Sequence, residues 1–170
     1  DKTTRIVSIW DQAIVSDNPP VGMEYGTEYN RTQINEALQS EDPLSIVPST
    51  DEIGHGTMVA GIAGGNEVPE SNFYGVAPDC EFLVVKLKPA KEYLKDFFFI
   101  PRGAVCFQET DLLRGIEYLY EKGISLNRPI VICVAVGSSQ GAHDGLGTLS
   151  TYLSRIAGLS GNGVVVAAGN

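Results

Sequence analysis

Cations are scarce in this chain of 170 residues: Lys and Arg number 12 against 21 Asp and Glu, giving a net charge of −9 at pH 7 and a pI near 4.6. Such a chain lacks the basic field that draws nucleic acid or anionic membrane, so neither is expected as a partner. No apolar run approaches the roughly 18–20 residues that span a bilayer. There are only three cysteines, Cys80, Cys106 and Cys133, with no C-x-x-C pair. That excludes the common zinc and redox motifs and leaves reduced structural thiols, which speaks against a harshly oxidising exterior. Cys133, inside the apolar run Ile130–Val134, is expected to be small and buried. Acidic pairs such as Asp51-Glu52 lack the dense oxygen spacing of a calcium loop, so neither metal nor cofactor is expected. There is no initiator Met, signal peptide or lipidation pattern, and no internal repeat or low-complexity segment.

What the chain does have is a globular composition, 43% hydrophobic and 19% charged. At this length one domain buries about two-thirds of its unfolded surface. Arg5–Trp10 reads as a strand, followed by a polar, Pro/Gly-rich stretch to about Asn30. Thr32 is placed to cap a helix running to Ser40, with Ile34, Ala37 and Leu38 on one face. Phe82–Leu87 is apolar on both faces, as in a parallel sheet covered by helices. A helix capped by Thr110 carries Leu112, Leu113, Ile116, Leu119 and Tyr120 at helical spacing and stops at Gly123. Strand Ile130–Val136, helix Leu146–Leu159 and strand Val164–Ala168 complete the chain. Alternating strands and helices predict an α/β fold, a mostly parallel sheet between helix layers.

The segment 88–108 interrupts this alternation. Charged residues 91–96 precede Phe97-Phe98-Phe99-Ile100-Pro101, and the whole reads as an inserted loop or hairpin. Its phenylalanines either form a small cluster packed under the loop or a contact surface for another part of the protein.

The chemistry concentrates in Asp51-Glu52-Ile53-Gly54-His55-Gly56-Thr57-Met58-Val59-Ala60-Gly61. A histidine between glycines leaves room for close approach, and the helix after it fixes the ring as a general base requires. Two further segments accompany it. Tyr74-Gly75-Val76-Ala77-Pro78 precedes the apolar strand from Phe82, and Val164-Val165-Val166-Ala167-Ala168-Gly169-Asn170 runs from a buried-type strand into Gly-Asn.

Together these three resemble, in order, motifs of the subtilisin-like serine proteases, the subtilases (peptidase S8): H-G-T-x-V-A-G, G-V-A-P and V-V-x-A-A-G-N. The resemblance implies a three-layer subtilase core, truncated at its C-terminal side. It implies a peptide-bond hydrolase working through an acyl-enzyme with a Ser-His-Asp triad. It makes His55 the base and Asn170 the oxyanion donor. Ala135, Val136, Gly137 and Ser138 then match the substrate-binding strand, which pairs with peptide backbone. The nucleophile motif G-T-S-x-A follows the Gly-Asn segment in the family and does not occur in this chain. The 170 residues are therefore expected to be a partial catalytic domain, with inserted loops at about 11–50 and 88–108, inactive by itself. By the same resemblance the parent protein is secreted, cell-envelope or spore-associated.

The triad acid has two candidate positions. Val7–Ile14 is similar to the family's strand-end motif V-x-V-I-D-T-G-I, which would make Asp11 the acid. Gln12-Ala13 replaces Thr-Gly, however, and Trp10 is bulky. In a clostridial branch related to the Csp spore-germination proteases, a segment like Thr3–Gln12 comes after the acid's motif. This chain resembles that branch at Tyr25–Tyr29, Gln33–Ala37, Asp51–His55 and Gln140–Gly145. An acid upstream of residue 1 is the expectation this favours. Two rival functions remain. One is a catalytically inactive pseudoprotease or binding domain. The other is an esterase using Gly137-Ser138-Ser139-Gln140-Gly141 as a G-x-S-x-G elbow, although a glycine-rich loop follows instead of a helix. His143 and Asp144 read as loop residues near the specificity pocket or as plain surface. The open C-terminal strand is further expected to promote self-association.

Overall fold

A computed structural model describes residues 3–138 and 141–169. Three strands form one sheet in the order β2-β1-β3, and two more form a second, β4-β5. β1 (Ile6–Asp11) pairs antiparallel with β2 (Thr27–Asn30) and parallel with β3 (Phe82–Lys86). β4 (Ile130–Val134) and β5 (Asn162–Val166) are parallel. Two of the three pairings are thus parallel, as expected. β2 is the exception, a four-residue strand inside a polar stretch, paired because β1 offers it a free edge.

Side chains of β1 divide between two helix layers, alternating from Ser8 onward after a register irregularity between Ile6 and Ser8. Ile6 and Ile9 pack with Ile34 and Ala37 of α1 (Arg31–Gln39). Ser8 and Trp10 face the other way, toward Tyr118 of a long helix: the Ser8 and Tyr118 hydroxyls lie 2.7 Å apart, and the Trp10 and Tyr118 rings 5.3 Å apart. α1 is capped by Asn30 rather than Thr32. Asn30 Oδ1 accepts from Gln33 N–H, and Gln33 Oε1 accepts from Asn30 N–H, a reciprocal capping box.

α2 (His55–Gly64) and α3 (Glu92–Phe97) precede α4 (Glu109–Ser125), which joins the two sheets. Near its N-terminus Gly115 lies against Val85 and Leu87 of the β3 end, and near its C-terminus Gly123 lies against Ile130 at the start of β4. Gly123 is therefore a packing glycine and does not end the helix. Ile116 packs with Ile132 and Val134, together with Leu153 and Ile156 of α5 (Thr148–Ala157). Both β3 and β4 thus run opposite to α4, and their C-terminal ends share one end of the molecule. Glu81 ties the opposite end, pairing with Arg31 and Arg128.

One expectation on exposure fails, and one of the two readings of the phenylalanines is set aside. Cys133 is exposed, because Val131, Cys133 and Val165 share the β4–β5 face opposite α4 and α5, which nothing covers among the described residues. The phenylalanines of 97–99 are exposed as well, not packed under their loop.

Candidate active site

His55 is the first residue of α2, behind Gly54 at φ +79°. Gly54 has no side chain to cap the helix, and Asp51 does so from three residues further back. Its Oδ1 accepts from Gly54 N–H at 2.8 Å, and its Oδ2 accepts from Thr57 N–H at 2.9 Å and Thr57 Oγ1–H at 2.7 Å. The Thr57 hydroxyl and the two N–H groups hold the Asp51 carboxyl down to a pKa of about 2. A carboxylate here also opposes the positive end of the helix. Asp51 is therefore a helix cap, its oxygens taken by N–H and O–H donors. Among the described residues no three His, Cys, Asp or Glu side chains group as a metal site.

The far end of α2 is anchored by the second motif. Val76 N–H donates to Ile62 C=O at 3.0 Å, Ala77 N–H to Ala63 C=O at 2.8 Å, and Gly75 N–H to Gly65 C=O at 3.0 Å. The Tyr74–Pro78 turn thereby satisfies carbonyls that a helix end leaves open. A β-carbon on Gly64 would stand 2.5 Å from Cys80 Sγ, and one on Gly75 would stand 2.2 Å from Gly65 N, so only glycine permits this approach. Arg5 adds its guanidinium, donating to Gly64 C=O, to Cys80 C=O at 2.7 Å and to Asn66 Oδ1 at 2.8 Å. The helix bearing His55 is fixed at both ends, while the imidazole itself is exposed and bonds to no described side chain.

Asp11 ends β1, fully buried. Its Oδ1 accepts from Ala13 N–H at 2.9 Å, its Oδ2 from Ser49 Oγ–H at 2.7 Å, and Lys86 Nζ lies 3.5 Å away. The structure does not bring this carboxylate to His55. Lys86 Nζ also stands 3.5 Å from Oε2 of Glu52 in the His55 loop. Sequence reading gave Lys86 no role. A basic residue closing an otherwise apolar strand was the available signal.

Ala135, Val136, Gly137 and Ser138 follow β4 at the same molecular end, the first two half-buried and the last two exposed. Ala167 N–H donates to Val134 C=O at 3.1 Å, carrying the β4–β5 ladder past its last pair. His143 and Asp144 are exposed, with Asp144 Oδ1 accepting from Leu146 N–H at 2.8 Å. Asn170, the expected oxyanion donor, and Ser139, the candidate esterase nucleophile, lie outside the described residues.

A knot behind the site holds the strand ends together. Gln12 Nε2–H donates to Asp111 C=O at 2.8 Å, while Gln12 Oε1 accepts from Lys88 N–H at 3.3 Å. Asp111 Oδ1 accepts from Tyr25 Oη–H at 2.8 Å and pairs with Lys88 Nζ at 3.1 Å. Burial, then the Asp111 carboxylate, push the Tyr25 phenol well above its usual range.

Comparison with known proteins agrees with the motifs. The Subtilase family model (Peptidase S8) matches residues 2–170. Among solved structures the chain is similar to the CspB protease of Clostridium perfringens, with 36% identity and a TM-score of 0.77. The match covers 99% of this chain and 32% of that one, so the chain spans about a third of its structural relative. No curated protein matches.

Proposed function

The chain belongs to the subtilase family, and from that premise we infer that its parent protein is a serine endopeptidase. His55 takes the proton of the attacking serine and returns it to the leaving amine. Asn170 donates its amide to the tetrahedral oxyanion, a contact whose loss costs about 10²–10³ in kcat. Residues 135–138 pair with the substrate backbone. The serine belongs to a G-T-S-x-A segment of the parent protein.

The observation that carries this reading is the built position of His55: an exposed imidazole on a helix fixed at both ends, at the end where β1, β3 and β4 finish. The open edges of β3 and β4 support an acid supplied from elsewhere in the parent. Each has one paired neighbour, the two strands do not touch, and α4 packs against both. One further strand, parallel to both, would fill the gap, since neighbouring strands lie about 4.8 Å apart. A carboxylate at its C-terminal end would emerge among Asp11, Lys86 and Ala135. Asp11 is then a positioning residue.

The test compares the parent protein and the 170-residue chain on a fluorogenic peptide and a fluorophosphonate probe. The parent is expected to hydrolyse and label, and His55→Ala to abolish both. The chain alone is expected to give background only. A parent that neither labels nor cleaves is a pseudoprotease. Labelling of Ser139 in the chain alone makes it an esterase.

A further inference from the structure

The hairpin 88–108 is tightly built at its base and apolar at its tip. Pro89 bridges Phe107 in antiparallel fashion, and Ala90 N–H donates to Cys106 C=O at 2.9 Å. The hairpin leaves β3 beside Lys86, which reaches the His55 loop through Glu52. At the tip α3 closes with two turn bonds, Ile100 N–H to Lys95 C=O at 2.9 Å and Phe99 N–H to Asp96 C=O at 3.2 Å. Phe99 occupies the left-handed position between them, at φ +53°. Glycine is the usual residue there, and a β-carbon costs free energy.

That cost brings no burial: Phe97 is 71%, Phe98 52% and Phe99 93% exposed. The rings of Phe97 and Phe98 meet edge to face at 5.0 Å, a small standing platform. Lys91 and Arg102 flank it and make no ion pair among the described residues, whereas Lys95 is paired with Glu92. Four of the chain's 12 cations (Lys88, Lys91, Lys95 and Arg102) fall in this hairpin, against two carboxylates, Glu92 and Asp96. An occupant that suits both features carries apolar side chains beside carboxylates. A polypeptide supplies both, and one bound at His55 has the root of the hairpin near it, through Glu52 and Lys86.

We propose that Phe97, Phe98 and Phe99, with Lys91 and Arg102, form an exosite for an acidic and apolar stretch of the polypeptide substrate. The proposal rests on the protease reading. Its test uses the full-length parent protein with two double variants, Phe97→Ser with Phe98→Ser, and Lys91→Glu with Arg102→Glu. Each is expected to lower kcat/KM on β-casein, a disordered acidic protein, by about tenfold through KM. Each should leave kcat/KM on a tetrapeptide anilide within about twofold. Equal losses on both substrates, or none on casein, overturn the exosite. A second measurement does not need catalysis: fluorescence anisotropy of a labelled peptide of Leu, Phe and Glu added to the 170-residue chain. Binding that both variants abolish sustains the exosite even if the parent cleaves nothing. No binding at about 100 μM overturns it even if the parent is active.

Discussion

Lys86 Nζ stands 3.5 Å from Oδ2 of Asp11, a carboxylate with no solvent exposure. The pair is asymmetric, because Lys86 keeps contact with solvent and Asp11 does not. Removing the lysine strands a buried charge, whereas neutralising the aspartate leaves an ammonium that water and Glu52 still solvate. Lys86→Met is therefore expected to cost about 2–3 kcal/mol and Asp11→Asn about 1 kcal/mol, by urea unfolding of the chain. In the parent protein Asp11→Asn should keep kcat within about tenfold. A fall of about 10⁴, the scale of losing a triad carboxylate, would make Asp11 the catalytic acid.

Asp51 offers a pH test. Its folded pKa is depressed to about 2, so its stabilising effect is present above the unfolded value near 4 and is lost as pH falls toward 2. Asp51→Ala should lower Tm at pH 7 by about 2–4 °C, the size expected for a lost cap. The gap between mutant and wild type should close between about pH 4 and pH 2, followed by circular dichroism. A gap that persists at pH 2 would mean Asp51 acts through packing.

Much of this was legible in residue patterns, and the failures have local causes. The alternation of strands and helices gave the α/β order because β3, β4 and α4 carry clear apolar periods. β2 was invisible because Thr27–Asn30 is short and polar, and its strand state depends on β1. The helix start near residue 31 was misplaced because both Asn30 and Thr32 are capping residues, and only the reciprocal bonds of Asn30 with Gln33 decide between them. Gly123 looked like a stop signal, but it serves close contact with Ile130. In the site, the motif around His55 was readable, yet its support was not. Asp51 acts across six residues on Thr57, and the Tyr74–Pro78 turn acts back on α2, relationships that exist only after folding.

The buried phenol of Tyr118 predicts an alkaline limit. Burial dominates in raising its pKa far above the unfolded value of about 10, with the Glu28 carboxylate adding to it. A raised folded pKa gives stability that is intact below pH 10 and declines as pH climbs further, because the unfolded chain ionises and the folded one does not. Tyr118→Phe removes this dependence. Its Tm should fall less than that of the wild type between pH 8 and pH 11, although it starts lower for loss of the bonds to Ser8 and Glu28. Parallel declines would place the alkaline loss elsewhere, with Tyr25 the next candidate.

Phe99→Gly separates stability from binding. The left-handed backbone at φ +53° costs a residue with a β-carbon about 1–2 kcal/mol, and the exposed ring returns little by burial. Glycine also gains freedom in the unfolded chain, offsetting part of the relief. The variant should be more stable by about 0.5–1 kcal/mol in urea unfolding while losing affinity for the Leu/Phe/Glu peptide. A destabilised variant would mean that the ring packs against something in solution.

The last prediction concerns the open surfaces of the 170-residue chain. Val131, Cys133 and Val165 form one apolar face of the β4–β5 sheet, and among the described residues β3 and β4 each present an unpaired edge. Unpaired edges beside apolar faces template association between copies. Sedimentation velocity at micromolar concentration is therefore expected to show dimers or larger species. Val131→Glu places a charge on that face, and should shift the chain toward monomer without unfolding it, because the side chain is already 72% exposed. If Val131→Glu changes nothing and Phe97→Ser with Phe98→Ser restores the monomer, the contact lies in the hairpin. A wild-type chain that sediments as a single monomer would reject association altogether.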